Sequence, residues 1–187
     1  DPAAQPWTAP TAAIDAVTGT LACLLESNYT NVRAVRAASL PATLMDLLVH
    51  DSLRPAALTL LVRIVGADKR QEHADLVHYI ELLHVHSKTS HAMTVDMLNA
   101  ITLMFRANPG ATATFRDLGG FVTLVSILVA LEGVFAPTKD TPSPTDAPAV
   151  DAHALVLAVL RLLYHAVVSQ EQTLAFVSAH IGFKPLG

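Results

Sequence analysis

The sequence predicts an all-α protein, folded as a right-handed α-solenoid of about four helical repeats. Three observations lead to this prediction. The chain repeats itself at a fixed distance, its apolar residues recur every three or four positions, and 52% of its residues are hydrophobic but only 5% aromatic. The spacing favours helices over strands, and an apolar content supplied mainly by Ala, Leu and Val favours closely packed helices.

The clearest repeat joins two segments that align without a gap. NYTNVRAVRAASLPATLMDLLVH, which begins at Asn28, matches NPGATATFRDLGGFVTLVSILVA, which begins at Asn108. Arg36 then falls on Arg116, and the apolar positions that follow coincide. The two segments lie 80 residues apart, which indicates two periods of about 40.

A weaker copy lies halfway between these segments. The apolar residues that align are Leu21, Leu61 and Ile101. The polar turns that follow them are Asn28, Asp68 and Asn108. A fourth apolar segment, from His153 to Val168, reaches an equivalent turn near Gln170 if about 22 residues are inserted before it.

A unit therefore reads as a long helix, a polar turn, a short helix that carries Arg36 or Arg116, a second turn and another long helix. A period near 40 with two or three helices is typical of armadillo and HEAT repeats, in which no unit covers its own apolar faces. The domain prediction is a short N-terminal extension (1–10) followed by one helical domain (11–187).

A proline-rich segment at about 134–150 is the predicted insertion. The stretch APTKDTPSPTDAP, which begins at Ala136, has four prolines and no apolar periodicity, so it predicts a flexible loop. Thr141 and Ser143, each followed by proline, are candidate phosphorylation sites in this loop.

Charge and cysteine content restrict the kind of partner and the location. The net charge of −4 and the absence of any Lys/Arg run argue against nucleic acid as the partner. A single cysteine, Cys23, excludes an intramolecular disulfide and favours a cytoplasmic setting. The N-terminus lacks a signal-peptide pattern, and the chain reads as a piece of a larger protein.

The pair Gly119-Gly120 precedes an apolar run from Phe121 to Leu131. Eleven residues are too few for a membrane span, which needs about 20. A phosphate-binding loop would need a GK[ST] or a richer glycine pattern, and neither is present. The pair therefore predicts a helix C-cap with glycine in the left-handed conformation.

Five of the nine histidines fall within one short segment. They are His73, His78, His84, His86 and His91. Consecutive members are not spaced at i and i+4 as zinc helices require, so the sequence predicts no metal or cofactor. A metal-dependent enzyme remains an alternative, since His84 with His91, or Glu81 with His84, could share a helical face. No nucleophile turn of the G-x-S-x-G kind occurs, and the prediction is a protein that is not an enzyme.

Two stretches resemble known families. SNYTNVRAVRAASLPATLMDLLVHD, which begins at Ser27, resembles an armadillo repeat. TFRDLGGFVTLVSILVAL, which begins at Thr114, is similar to a segment in the N-terminal armadillo-like region of the large BEACH proteins related to neurobeachin and beige. The resemblance implies a scaffold in vesicle trafficking or autophagy. The armadillo-like regulatory region of the formins fits the same pattern.

Armadillo third helices usually line the concave face, so the resemblance implies that their exposed positions bind a protein partner. These positions are Thr43, Asp46, His50, His78, Glu81, Thr123 and Ser126. The predicted function is a non-enzymatic protein–protein interaction scaffold in the cytoplasm, brought to intracellular membranes through the parent protein. The alternative is a structural spacer that contacts neighbouring repeats or associates with itself through its exposed ends. Neither hypothesis includes nucleic acid or a transmembrane segment.

Overall fold

The structure, a computed structural model of the chain, describes residues 11–68, 75–135, 147–169 and 171–180. Every regular element within these ranges is a helix, so the all-α prediction is confirmed. The predicted N-terminal extension (1–10) lies outside the described residues, as does His73 of the histidine segment.

The helices have the following bounds: α1 Thr11–Leu25, α2 Tyr29–Ala37, α3 Leu40–Asp46, α4 Arg54–Gly66, α5 Asp75–His86, α6 His91–Ala107, α7 Gly110–Asp117, α8 Gly120–Phe135, α9 Ala147–Ser169 and α10 Glu171–His180. A short 3-10 helix, Leu47–Val49, follows α3 directly. Because α8 runs to Phe135 and α9 begins at Ala147, the segment predicted as a loop (134–150) is helical at both ends. Its middle, 136–146, lies outside the described residues, and the candidate phosphorylation sites lie there.

The long helices pack in two rows. In the first row α1 packs against α4, α4 against α6, and α6 against α9. In the second row α3 packs against α5, and α5 against α8. The short helices α2 and α7 each contact the helix before and the helix after them. Helices of both rows contribute fully buried side chains to one core, among them Ile64, Leu83, Ile101 and Leu124.

Helices α4 and α6 of the first row run parallel. Near their N-terminal ends Nη1 of Arg54 donates to Oδ2 of Asp96 at 3.2 Å. Near their C-terminal ends a Cβ added to Gly66 would lie 2.9 Å from the Cβ of Ala107. The close approach at Gly66 requires a residue without a side chain, and it brings equivalent ends of successive units together.

The polar turns of successive units are also in contact. Nδ2 of Asn108 donates to the backbone oxygens of Val65 at 3.1 Å and Asp68 at 2.7 Å. Oδ1 of Asn108 accepts from the backbone N–H of Gly110 at 3.1 Å. One side chain thus accepts from the first residue of α7 and donates to carbonyls in and just after the last turn of α4.

The glycine pair joins α7 to α8 as a C-cap, as the sequence predicted. Gly119 has a φ of 79°, in the left-handed region, and its N–H donates to the carbonyl of Arg116 at 3.0 Å. The equivalent residue of the first unit, Ser39, has a φ of 57°. Both units therefore make the same turn, but only the later one has the residue that does so without strain.

Substitutions at these two positions should change the free energy of unfolding in opposite directions. We expect Gly119→Ala to lower the free energy of unfolding by about 1–2 kcal/mol, because alanine is strained at positive φ. Ser39→Gly should raise it by about 0.5–1 kcal/mol, since it removes that strain at some cost in chain entropy. Urea denaturation of both variants measures the changes. A stabilised G119A variant would contradict the left-handed turn.

Candidate interaction surfaces

A groove of about 600 Å³ lies between α4 and α6, in the first row. Leu58 and Val62 of α4 and Leu103 of α6 form its apolar part. These residues recur at helical spacing, so each helix turns the same stripe towards the groove. Leu103 is half exposed (50%), which leaves a large apolar side chain open to a ligand.

Two arginines stand at the end of the groove formed by the C-terminal turns of α4 and α6. Nη1 of Arg63 lies 3.5 Å from Oε1 of Glu26, and both side chains are about half exposed. Nη2 of Arg106 lies 2.7 Å from Nε2 of His165. The guanidinium always donates, so this imidazole nitrogen is the acceptor of the hydrogen bond. Ion pairs at exposed positions are weak, and both arginines can turn towards a negatively charged ligand.

The opposite end of the groove is held by a buried arginine. Nε of Arg54 donates to the backbone oxygen of Leu48 at 2.8 Å, and its remaining nitrogens pair with Asp96 and Asp51. Asp96 lines the groove, and its contact with Arg54 offsets its charge. The groove therefore has a neutralised end and a basic end.

Helix α5 is fixed against α6 by a buried tyrosine. The hydroxyl of Tyr79 donates to the backbone oxygen of Met97 at 3.0 Å. Burial, reinforced by the nearby charge of Asp96, raises the pKa of Tyr79 well above its ordinary value. The phenol stays neutral and continues to donate, so the second row supports the groove from behind.

A network of ionic groups ties the first unit to the second. Nη1 of Arg36 lies 2.6 Å from Oδ2 of Asp68, and Nε lies 2.7 Å from Oδ2 of Asp75. Asp68 is fully buried, and Arg36 is 18% exposed. Burial by itself lowers the pKa of Arg36, but the hydrogen bond that Arg36 donates to Asp68 and the charges of both carboxylates outweigh it and raise this pKa above its usual value. Arg36, which aligns with Arg116 in the repeat, thus has a structural role here.

The residues predicted to bind a partner all lie in the second row or in the turn after its first helix. Thr43 and Asp46 are on α3, His50 follows the 3-10 helix, His78 and Glu81 are on α5, and Thr123 and Ser126 are on α8. All are exposed except Thr123, which is partly buried. Because α3 contacts α5 and α5 contacts α8, the structure places them in one layer.

Few specific contacts join these seven residues. Nδ1 of His78 lies 3.3 Å from Oε2 of Glu81, one turn away on the same helix. The hydroxyls of Thr43 and Ser126 donate to backbone oxygens of their own helices, at 3.4 and 3.0 Å. That partners bind this layer remains a prediction, whereas the α4–α6 groove is a surface that sequence reasoning did not identify. No local pattern marks it in the sequence, since Arg63 and Arg106 lie 43 residues apart.

In the described ranges, no group of three or more His, Cys, Asp or Glu side chains is arranged to hold a metal ion. No single described helix is both long and apolar enough to cross a bilayer. Gly110–Asp117 together with Gly120–Glu132 reaches that length only as a pair bent by 68°.

Comparison with known proteins adds no family to this description. No protein-family model matches the chain, and no solved structure matches it. The assignment of a function therefore depends on the surfaces described above.

Proposed function

We propose that the chain is an armadillo-like right-handed α-solenoid of about four repeats and serves as a non-enzymatic protein–protein interaction scaffold. One observation carries this proposal: residues at equivalent positions of the repeat meet at two junctions of the first row, between α1 and α4 and between α6 and α9. Glu26 meets Arg63, and Arg106, 80 residues after Glu26, meets His165. Repeated contacts in a fixed register are what a stacked array of units requires.

The α4–α6 groove is the docking surface in this proposal. Its ligand is a segment of another protein that carries an acidic side chain next to a bulky apolar one. The apolar side chain would cover Leu58, Val62 and Leu103, and the carboxylate would pair with Arg63 and Arg106. Because the basic end lies on one side only, charge would also set the direction in which the segment binds.

The cellular role in this proposal follows the resemblance of the Thr114–Leu131 segment to BEACH proteins. It is that of a cytoplasmic scaffold in vesicle trafficking or autophagy, attached peripherally to intracellular membranes through a parent protein. The formin regulatory region is the competing parent. Sequencing the full-length transcript tests this part, since a BEACH domain or a formin domain in the same reading frame selects one of them.

Selection of phage-displayed peptides on the purified chain tests the groove. We expect enriched peptides to contain Asp or Glu within a few residues of a large apolar residue. The double variant Arg63→Glu/Arg106→Glu should weaken binding of these peptides by about tenfold or more, because repulsion replaces attraction. Titration calorimetry with one selected peptide measures the change.

A matched control is Arg33→Glu, which reverses an exposed charge of α2 outside the groove. It should leave peptide affinity unchanged. A second control, Asp46→Lys/Glu81→Lys, alters the layer predicted from the sequence. If this variant abolishes binding while the groove variant retains it, the scaffold uses the second row and the groove assignment is wrong. Peptides without an acidic residue would contradict the proposed ligand.

A further inference from the structure

An apolar stripe on α9 is left without a partner by the described part of the chain. Its members are Leu157, Leu160, Tyr164 and Val168, which are 40%, 49%, 65% and 67% exposed. They recur every three or four residues and therefore form one continuous face. The opposite face of α9, with Leu155, Val159, Leu162 and Ala166, is fully buried.

The repeat register relates this face to two contacts elsewhere in the first row. The alignment that relates Glu26 to Arg106 places Val168 at the equivalent position of α9. Val168 follows Arg106 by one period of about 40 residues and the insertion of about 22. Glu26 contacts Arg63 on the next helix of the row, and Arg106 contacts His165 on the next. The stripe on α9 thus occupies the position by which α1 contacts α4 and α6 contacts α9.

The complementary face lies on α1, at the other side of the first row. The residue that corresponds to Arg63 and His165 is Cys23, which is exposed. On the same side of α1 the exposed residues Ala16, Gly19 and Thr20 are small, although Leu24, next to Cys23 in the sequence, is 53% exposed. A Cβ added to Gly19 would meet no atom of the described residues within 4 Å, so the described part of the chain leaves this side of α1 uncovered. Small residues on a helix allow a second helix to approach closely, as Gly66 allows α6 to approach α4 at Ala107.

We propose that a second copy of this chain covers the stripe, with α9 of one copy packed on α1 of the next in the register of the internal repeats. The contact joins two different surfaces, so it is head-to-tail and does not close after two copies. Association continues the first row from one molecule into the next. The inference rests on the repeated contacts within the row and is independent of what the groove binds.

Sedimentation velocity of the chain over a range of concentrations tests association. The wild-type protein should form species that grow beyond dimers as concentration rises. Leu160→Glu/Tyr164→Glu on α9, or Ala16→Glu/Thr20→Glu on α1, should each raise the concentration needed for association by at least about tenfold, since charge replaces apolar contact. An equimolar mixture of the two variants should form dimers and stop there, because each supplies one intact surface.

The control Val129→Glu alters an equally exposed valine (63%) on α8 and should leave association unchanged. Circular dichroism of every variant establishes that it is folded. A monomeric wild-type chain at all concentrations overturns the proposal. So does a dimer that the α9 variant abolishes and the α1 variant leaves intact, because that pattern indicates a symmetric contact.

Chemical cross-linking tests the register independently of the substitutions above. Cys23 is the only cysteine of the chain, and Val168→Cys adds a second thiol at the position expected to face it in the next copy. A short bismaleimide should convert this variant into a ladder of multimers. Val129→Cys, with its thiol on α8, should give no ladder. Equal products from both variants would contradict the register.

Discussion

Replacing Arg36 with methionine should lower the free energy of unfolding by about 3 kcal/mol, at the lower end of the range for breaking a buried ion pair. The guanidinium contacts the fully buried carboxylate of Asp68 and also Asp75, and without it two negative charges face each other across the junction of two units. The estimate is at the lower end because Nη2 of Arg36 is buried with no hydrogen-bond partner in the described part of the chain. Methionine keeps the packing of the stem.

The repeat supplies the control for this substitution. Arg116 holds the equivalent position on α7, but Nε of Arg116 pairs at 2.9 Å with Asp117, an exposed neighbour in sequence. We therefore expect Arg116→Met to cost less than about 1 kcal/mol. Urea denaturation of both variants measures the difference. Equal losses would show that the arginines stabilise the fold through their stems, and not through the charges of Asp68 and Asp75.

The pH dependence of the Arg36 effect has a defined sign. The folded state raises the pKa of Arg36, so its contribution is fully present below the pKa of arginine in the unfolded chain and is lost only as pH rises through the folded value. Both values lie far above neutrality. The cost of Arg36→Met should therefore be the same at neutral and at mildly alkaline pH.

Enlarging Gly120 or shortening Phe115 should also lower the free energy of unfolding by a large amount. A Cβ on Gly120 would lie 2.4 Å from ring atoms of Phe115, which is fully buried. The ring cannot move away, since it packs edge-on at 5.4 Å against both Phe105 and Phe121. Gly120→Leu alone should cost about 3 kcal/mol through overpacking, and Phe115→Val alone about 3 kcal/mol through the cavity it leaves.

The first unit indicates how the two changes compensate. It holds Val35 where the third unit has Phe115 and Leu40 where the third has Gly120, and both side chains are partly buried against the core. The double variant Phe115→Val/Gly120→Leu should therefore be more stable than the sum of the single losses, with a coupling of about 1–3 kcal/mol. A double-mutant cycle measures it. Strict additivity would mean that the two units pack these positions differently.

Local rules predicted the features that recur along the chain. Helical spacing of apolar residues, the polar turns at Asn28, Asp68 and Asn108, and the glycine C-cap were all accessible from the sequence. Each depends on residues a few positions apart, whose geometry is set by backbone conformation. The ends of the predicted loop were less accessible. α8 and α9 extend into the segment, because helix ends depend on tertiary packing as well as on composition.

The groove shows why the surfaces could not be predicted in the same way. Arg63 and Arg106 are 43 residues apart, and nothing near either of them marks it as a ligand-binding residue. Both arginines line one groove because α4 and α6 run side by side. Arg54 pairs with Asp96 at one end of these helices, and Gly66 packs against Ala107 at the other. A polar side chain on a helix is predictable from the sequence, but its neighbours across the groove are set by the packing of the two helices.

The helical class of this protein and the turns at Asn28 and Asn108 could be predicted from the sequence alone. These properties follow from the spacing of apolar residues and from the conformational preferences of single residues. The packing of the helices sets which arginine is buried, which stripe on α9 no described residue covers, and which helices enclose a groove. Burial and charge pairing depend on side chains that are far apart in the sequence, so no local rule predicts them.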